Sequence, residues 1–290
     1  MRIVSLVPSA TEIIAALGLA GQLVGRSHEC TYPPEVQSAP IVSASRIDTA
    51  TIASAEIDVA VRAALAAGRP LYAVDADLLE QLAPDVIVTQ DLCEVCAVSS
   101  GEVRRVARTG AATISLDPRD LREIEESIRT LSRHLGVAGA GEGLAQAMRH
   151  RIDSVHQAVR GLPRPRVFVA EWLDPPFAAG HWVPEMVELA GGEEVLGRAR
   201  ERSFQTTWEA VAEAAPQLLV LAPCGFGVER TRAEAGSVPA MGARMVAVDG
   251  DAAYSRPGPR VAEGVAQLAS LMHPGAVEPP KLEVCQLVPG

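Results

Sequence analysis

The fold is decided by Arg2-Ile-Val-Ser-Leu-Val-Pro-Ser-Ala-Thr-Glu-Ile-Ile-Ala-Ala-Leu-Gly18, the stretch that opens the chain. Residues 3–7 form a short apolar run of the kind that builds a buried parallel strand. Pro8 ends this run, and apolar residues then recur at helical spacing until Gly18, where a helix is expected to end. The stretch predicts a strand, a tight loop and a helix, which is the first unit of an α/β sheet with its loop at the ligand-binding edge.

An internal repeat indicates that this layout occurs twice. Asp77-Leu-Leu-Glu-Gln-Leu-Ala-Pro-Asp-Val-Ile-Val-Thr89 and Glu209-Ala-Val-Ala-Glu-Ala-Ala-Pro-Gln-Leu-Leu-Val-Leu221 both start with an acidic residue at a helix, continue to a proline and enter a strand. Between them, residues 138–160 carry an apolar stripe at spacings of three and four, which predicts a helix about 34 Å long. We therefore predict two similar α/β lobes joined by one long helix, with a ligand cleft between the lobes. The predicted segments are an N-terminal lobe (1–137), a connecting helix (138–162) and a C-terminal lobe (163–290).

Composition limits the classes of function. The 290 residues carry a net charge of −10, which argues against nucleic acid or an anionic membrane as the main partner. No window approaches the roughly 20 apolar residues of a membrane span. Pro8 and Glu12 interrupt the apolar run near the N-terminus, so we predict no signal peptide and a cytoplasmic location. A periplasmic or extracellular location would follow if a longer precursor is trimmed.

Aromatic side chains are rare, at 3% of the chain, and most of them fall in or beside loops that the predicted cleft would contain. Such side chains favour a large, flat or apolar ligand, although they would equally serve to pack the ends of the lobes. Small residues after the first strand would let a flat ligand approach the backbone. Arg256, on a proline-stiffened loop, would meet polar groups of a ligand or tie the loop to its lobe. The predicted ligand-binding residues are Pro8, Ser9, Ala10, Tyr32, Trp172, Phe177, His181, Trp182, Trp208, Phe226, Tyr254 and Arg256.

Cysteine and histidine residues in the same loops raise a second possibility. A CxxC pair with outside ligands would hold zinc or an iron–sulfur cluster, or would cycle as a redox pair. Small buried thiols that line a pocket are the alternative. His181, in Gly-His-Trp, would ligate the metal of a bound cofactor or serve only as a hydrogen-bonding group. The predicted metal ligands are Cys93, Cys96, His28, Cys30 and Cys224.

No sequence motif predicts an enzyme. The chain contains no GxSxG, Walker A, HExxH or GxGxxG pattern. It also offers no assembled nucleophile, base and oxyanion donor. We therefore predict a non-catalytic protein.

Several of these motifs, in this order and spacing, resemble a known family. Val7-Pro-Ser-Ala-Thr-Glu12, Tyr32-Pro-Pro34, the two proline-anchored units, Trp172-Leu-Asp-Pro-Pro-Phe177 and Ser255-Arg-Pro-Gly-Pro-Arg260 look like the cobalamin-binding, substrate-binding proteins of ABC transporters. The resemblance covers about residues 2–272. A branch that also carries Asp-Leu-Cys-Glu-Val-Cys and Gly-His-Trp-Val-Pro is the most similar.

The resemblance implies a fold and a partner. The fold would be that of a class III periplasmic binding protein, with a corrinoid or other metal chelate in the cleft. Asp77 and Glu209 would lie at the outer tips of the lobes and dock onto basic residues of an ABC permease. Two alternatives stay open: a cytoplasmic metal or iron–sulfur protein that uses Cys93 and Cys96, and an enzyme that acts on a corrinoid.

Overall fold

The computed structural model describes residues 1–91, 98, 101 and 110–287. Cys93 and Cys96 of the CxxC pair lie outside the described residues. Within those residues, no helix is long and apolar enough to cross a membrane.

The chain divides into two compact units, and each is α/β. The first unit comprises Met1–Pro118 and Glu125–Ala145, and the second comprises Arg119–Ile124 and Gln146–Gly290. The boundaries that the sequence predicts between the N-terminal lobe, the connecting helix and the C-terminal lobe, at residues 137 and 163, remain predictions.

The first unit is built on a parallel sheet. Its strands are β1 (Ile3–Ser5), β2 (Leu23–Arg26), β3 (Ser43–Ser45), β4 (Tyr72–Val74), β5 (Val86–Thr89) and β6 (Ala112–Ser115). Its own helices are α1 (Pro8–Ala16), α2 (Ser54–Ala66) and α3 (Ala76–Leu82), with 3-10 turns at Ala20–Gln22 and Pro34–Ser38. Among the described residues the sheet has the order β2-β1-β5-β6, with every pair parallel, while β3 and β4 form a separate antiparallel pair.

Two helices have residues in both units: α4 (Leu121–His134) and α5 (Ala138–Val159). The long helix predicted after residue 138 is thus present, and its apolar stripe is buried at Met148, Ile152 and Val155. Helix α5 is followed by the strands of the second unit.

The second unit has a mixed sheet. Its strands are β7 (Arg166–Leu173), β8 (Pro176–Ala178), β9 (Glu193–Glu194), β10 (Phe204–Gln205), β11 (Leu218–Leu221), β12 (Arg244–Val248) and β13 (Val284–Leu287). Its helices are α6 (Val183–Leu189), α7 (Trp208–Glu213), α8 (Val228–Glu234), α9 (Gly250–Ala253) and α10 (Val261–Met272), with a 3-10 turn at Ala235–Ser237. The order is β10-β8-β7-β11-β12-β13, and β9 pairs with β7. Strands β7, β11 and β12 are mutually parallel, so their carboxyl ends meet at one edge.

The opening stretch folds as its pattern predicts. Ile3 and Val4 are fully buried in β1, and α1 begins directly at Pro8. Proline suits this position because it has no N–H to leave unsatisfied and its φ is already helical. Gly18 follows the helix with a φ of 76°, a conformation that glycine adopts without strain.

The internal repeat is a structural repeat. After α3, Ala83 adopts a left-handed φ of 41° before Pro84 and β5, and after α7, Ala215 adopts a φ of 47° before Pro216 and β11. In the first unit, the Arg2 amide N–H donates to Asp85 Oδ2 at 2.6 Å, and the Arg2 Nε donates to the Leu82 carbonyl.

The second unit repeats both bonds of this arginine link. The Arg166 amide donates to Gln217 Oε1 at 3.0 Å, and its Nε donates to the Ala214 carbonyl at 3.2 Å. In each unit an arginine at the start of β1 or β7 thus ties that strand to the end of the helix that leads into β5 or β11. The two units therefore share one local architecture, as predicted.

Candidate ligand-binding site

The carboxyl ends of β7 and β11 bring together an aromatic pair in the second unit. Because Leu221 pairs with Ala170, the loops that follow these two strands lie side by side. Trp172 and Phe226 meet there, with ring centroids 5.1 Å apart and planes inclined by 56°. The Arg230 guanidinium lies over Phe226, with Cζ 3.7 Å from the ring centroid. Phe226 is only 2% exposed and Arg230 pairs with Glu234, so the half-buried Trp172 is the member of this group whose ring has accessible surface.

The Gly-His-Trp loop lies after β8 and is held by a neighbouring segment. The His181 amide donates to the Glu201 carbonyl at 2.7 Å, and the Arg200 amide donates to the His181 carbonyl at 2.8 Å. A Cβ on Gly180 would lie 2.4 Å from the Ser203 nitrogen, so only glycine fits between these backbones. His181 itself has a φ of 53°, an uncommon value for a residue with a side chain.

The His181 imidazole is kept neutral by its surroundings. Burial lowers its pKa from the ordinary value of 6.5, and the nearby charges of Arg202 and Arg119 lower it further. Its Nε2 is buried and has no hydrogen-bond partner among the residues that the structure describes. A neutral imidazole nitrogen of this kind can act as a ligand to a metal.

Trp182 and Tyr254 have structural roles in the second unit. The Trp182 indole N–H donates to the Tyr254 carbonyl at 2.8 Å, and the Tyr254 hydroxyl donates to Gln267 Oε1 at 2.8 Å. The Tyr254 side chain is fully buried, and burial raises its pKa far above the ordinary value of 10. These two residues pack the loops behind the aromatic pair.

Arg256 ties its loop to its own unit, which is one of the two roles predicted for it. Its guanidinium donates to Asp251 Oδ2 at 2.9 Å, while Asp251 Oδ1 accepts the Gly225 amide. The loop before α10 is thereby linked to the loop that carries Phe226. A direct contact of Arg256 with a ligand stays a prediction.

The other predicted aromatic contacts occupy different surroundings. Trp208 packs edge-on against Phe168, at 6.2 Å, as part of the hydrophobic core of the second unit. Phe177 is half-buried in β8, and Tyr32 is 42% exposed in the first unit. Their roles as ligand contacts stay predictions.

The small residues of the first unit lie where the opening stretch predicts them. Pro8, Ser9 and Ala10 form the first turn of α1 at the carboxyl end of β1, and all three are buried. Strand β5 runs parallel beside β1, with Ser5 opposite Val88. A ligand contact at this turn also stays a prediction.

Two of the predicted metal ligands, Cys30 and His28, lie among the described residues of the first unit. Cys30 is fully buried and its Sγ lies 2.9 Å from the Thr11 hydroxyl. His28 Nδ1 lies 3.0 Å from Ser43 Oγ, while its buried Nε2, 3.2 Å from Glu29 Oε1, has no hydrogen-bond partner among the described residues. Throughout the described part of the chain, no group of three or more His, Cys, Asp or Glu residues is suited to hold a metal ion. Cys224 is partly buried in the second unit, and its role as a ligand stays a prediction, as do those of Cys93 and Cys96.

Two acidic residues occupy equivalent exposed positions in the two units. Asp77 lies in the first turn of α3, which Asp75 caps by accepting the Leu78 amide. Glu209 lies in the first turn of α7, which Thr207 caps. Hydrogen bonds from its own amide and from Thr207 lower the pKa of Glu209, so this exposed side chain is firmly ionised.

Sequence reasoning missed several basic residues of the second unit. Arg119, Arg200 and Arg202 lie near the Gly-His-Trp loop, and Arg230 lies over Phe226. Arg200 forms ion pairs with Asp120 and Glu123. The only signal in the sequence was the alternation of arginine over residues 198–202.

The fold and the loops together define a class of protein: a two-unit α/β binding protein whose second unit presents aromatic and basic side chains at the carboxyl edge of its sheet. A family model described as periplasmic binding protein matches residues 3–241, and the chain belongs to this family. The members are substrate-binding proteins of ABC transporters and not enzymes, so the prediction of a non-catalytic protein is confirmed. The predicted resemblance and the class III fold are confirmed as well.

Named proteins are similar to this chain over most of its length. The vitamin B12-binding protein of Vibrio cholerae serotype O1 is 24% identical over 280 residues, which cover 93% of this chain and 88% of that protein. YvrC of Bacillus subtilis, an uncharacterized ABC transporter substrate-binding lipoprotein, is 22% identical over 281 residues, or 94% of this chain and 80% of that protein. A periplasmic heme-binding protein of Pseudomonas aeruginosa has a solved structure that matches with a TM-score of 0.74 at 20% identity, covering 100% and 99% of the two chains. These names give no support to the cytoplasmic location predicted from the sequence.

Proposed function

We propose that this chain binds a flat metal macrocycle, either a corrinoid such as cobalamin or a tetrapyrrole such as heme, and delivers it to an ABC permease. The observation that carries the proposal is the group of Trp172, Phe226 and Arg230 at the carboxyl edge of the second unit's sheet. Large rings and a few polar groups are the usual lining of a pocket for a flat ligand. The names of the relatives, which specify vitamin B12 and heme, support the same class of ligand.

The residues present fit a macrocycle that carries a metal. Trp172, supported from within by Phe226, would contact the plane of the ring, and His181 Nε2 would supply a neutral nitrogen to the metal. The bound group would supply the metal and the large apolar face. The alternative of a metal or iron–sulfur protein has less support, because no group of three or more His, Cys, Asp or Glu residues in the described part of the chain is suited to hold a metal ion.

The partner and the location follow from the same proposal. Asp77 and Glu209 would contact basic residues of the permease, because both are exposed and charged at matching positions in the two units. The working location would be extracytoplasmic, as the names of the B. subtilis and P. aeruginosa proteins indicate for those proteins. Fractionation of cells that express the full gene tests the location.

The binding experiment is a titration of purified protein with hydroxocobalamin and with hemin, followed by absorption and by calorimetry. We expect a one-to-one complex with at least one of them. Absence of binding of every macrocycle at tens of micromolar would reject the proposal.

The variant Phe226→Leu should weaken this binding roughly two- to tenfold, because it removes the ring that stacks with Trp172 and Arg230. Phe204→Leu is the matched control, since Phe204 also lies beneath an arginine, with Arg198 Cζ 4.5 Å from its ring centroid. Equal effects of the two substitutions would argue against a ligand contact at Phe226. Thermal melts of both variants show whether each remains folded.

A further inference from the structure

An arginine-rich segment, residues 198–202 with the sequence Arg-Ala-Arg-Glu-Arg, runs along the Gly-His-Trp loop. Two backbone hydrogen bonds join them, from His181 to Glu201 and from Arg200 to His181. Gly180 also packs directly against the Arg202 backbone, where an added Cβ would lie 2.7 Å from the Arg202 carbonyl carbon. The backbone of this segment is therefore fixed relative to the backbone of His181.

Two of these three arginines are neutralised by neighbouring acids. Arg200 pairs with both Asp120 and Glu123, and Arg198 lies 3.4 Å from Glu201 while its guanidinium covers Phe204. The acidic partners therefore neutralise the positive charges of Arg198 and Arg200 within the second unit.

Arg202 differs from the other two. It is exposed, and its guanidinium has no hydrogen bond or ion pair with the described residues. The Arg119 guanidinium is likewise exposed and makes no hydrogen bond or ion pair with the described residues. Arg119 lies near the Gly-His-Trp loop because its neighbour Asp120 pairs with Arg200. Both charges act on the His181 imidazole and lower its pKa. Two uncompensated guanidinium groups therefore lie near His181, in a chain whose net charge is −10.

We propose that Arg119 and Arg202 bind peripheral carboxylates of the ligand, so that the ligand is a carboxylated metal macrocycle. The inference rests on the proposed function and narrows it. A guanidinium recognises a carboxylate through two parallel N–H···O bonds, which an amide cannot match in charge or geometry. Heme carries two carboxylates and cobyrinic acid carries several, whereas the side chains of cobalamin are amides.

The positive charges of Arg119 and Arg202 would also attract an anionic ligand to the site. An anionic ligand is repelled by the overall negative charge of this chain, and a cluster of positive charge at the site reverses that effect locally. Because Arg119 and Arg202 are exposed, salt screens their attraction for a carboxylate. The preference for carboxylated ligands should accordingly decline as sodium chloride is raised.

The test compares four probes on the whole chain: hemin, hemin dimethyl ester, cobyrinic acid in its dicyano form, and hydroxocobalamin. The esters and amides retain the metal and the ring but remove the carboxylate charge. We expect at least one carboxylated probe to bind about tenfold or more tightly than its counterpart without free carboxylates. Comparison of hemin with cobyrinic acid shows which source of carboxylates the site accepts.

The variants Arg119→Gln and Arg202→Gln, singly and together, should remove that preference while leaving the affinity for the esterified or amidated probe unchanged. Arg244→Gln is the matched control. Arg244 is also an exposed arginine, but it lies at the amino end of β12 and not at the carboxyl edge of the sheet. Equal binding of charged and uncharged probes, or an unchanged preference in the double variant, would overturn the inference and leave the proposed function standing. If no probe binds the wild-type chain, both proposals fail.

Discussion

The Trp182 indole N–H donates to the Tyr254 carbonyl oxygen at 2.8 Å, and this bond joins the Gly-His-Trp loop to the loop before α10. Both side chains are buried, at 5% and 1% exposure. Two aromatic residues that the sequence predicted as ligand contacts thus hold the loops in position.

The first prediction concerns this hydrogen bond. Trp182→Phe removes the N–H and leaves the buried Tyr254 carbonyl without that donor, so we expect a loss of about 1 kcal/mol in the free energy of unfolding. Urea denaturation measures it. Trp208→Phe is the control, because it removes the same atoms from a side chain that packs on Phe168. The prediction is wrong if Trp182→Phe costs no more than the control.

The sequence predicted the architecture because the relevant signals are local. The opening strand and helix, and the repeated helix, proline and strand, are each encoded within about fifteen residues. The left-handed alanines 83 and 215 were not predictable, since alanine has no preference for a positive φ and only the packing of each unit imposes it.

The site was predicted less completely for the same reason. Aromatic placement predicted Trp172, Phe226 and Trp208 alike, and it did not show that the first two pack together while Trp208 packs on Phe168. Arg119 and Arg202 are far apart in the sequence: backbone hydrogen bonds bring Arg202 to the Gly-His-Trp loop, and the pairing of Asp120 with Arg200 brings Arg119. No pattern in one sequence reports a pairing of that kind.

The second prediction concerns His181 as a ligand of the bound metal. In His181→Ala, the absorption spectrum of the complex with hemin or hydroxocobalamin should shift, because the metal loses an imidazole ligand. His150→Ala, at an exposed position on α5, should leave the spectrum unchanged. An unchanged spectrum in His181→Ala would reject this role.

The pH dependence of the same spectrum provides an independent check. Because burial and the two arginines lower the pKa of His181, the imidazole stays neutral at and below the ordinary value of 6.5. The wild-type spectrum should therefore be constant from pH 8 to about 6.5 and should change only in more acidic solution. A transition centred at or above the ordinary value would contradict the assigned environment.

The third prediction concerns Glu194, whose carboxyl group lies among backbone N–H donors. Val169 and Gly197 donate to it at 3.2 and 3.0 Å, yet burial raises its pKa from 4.5 to about 7. The folded state thus holds a proton that the unfolded state releases between these values, so this group makes the protein less stable as pH rises from about 4.5 to 7. The total effect is on the order of 3 kcal/mol or less.

Glu194→Gln removes this titration, so the free energy of unfolding of the variant relative to wild type should increase across that pH range. Glu193→Gln is the matched control, because Glu193 is an exposed neighbour that pairs with Arg166. Urea denaturation at several pH values measures both. If Glu194→Gln and wild type show parallel pH profiles, the carboxyl group is not buried as described.

The fourth prediction concerns the close approach at Gly180. Gly180→Ala places a Cβ 2.4 Å from the Ser203 nitrogen and 2.6 Å from the Glu201 oxygen, so these backbones must separate. Overpacking of this kind costs about 1–3 kcal/mol in the free energy of unfolding. Gly236→Ala, where the added Cβ has nothing within 4 Å, is the control and should cost much less. A Gly180→Ala variant as stable as the control would show that the two segments do not pack as described.

The last prediction concerns delivery to a permease. Asp77 and Glu209 are exposed in the first turns of equivalent helices, and such positions allow a carboxylate to meet an arginine of a partner directly. In proteoliposomes that contain the cognate ABC permease, the double variant Asp77→Lys, Glu209→Lys should reduce the stimulated ATPase rate tenfold or more. Its affinity for the macrocycle should stay at the wild-type value, because neither residue is among those proposed to contact the ligand.

The matched control for this experiment is the double variant Glu80→Lys, Glu213→Lys, which reverses two exposed charges on the same helices. It changes the net charge by the same amount, so a difference between the two variants reports position and not overall charge. If both variants reduce stimulation equally, long-range attraction accounts for the effect and the contact at Asp77 and Glu209 is rejected. If only the variant at Asp77 and Glu209 reduces stimulation, each of the two repeated units contributes one acidic residue to the contact with the permease.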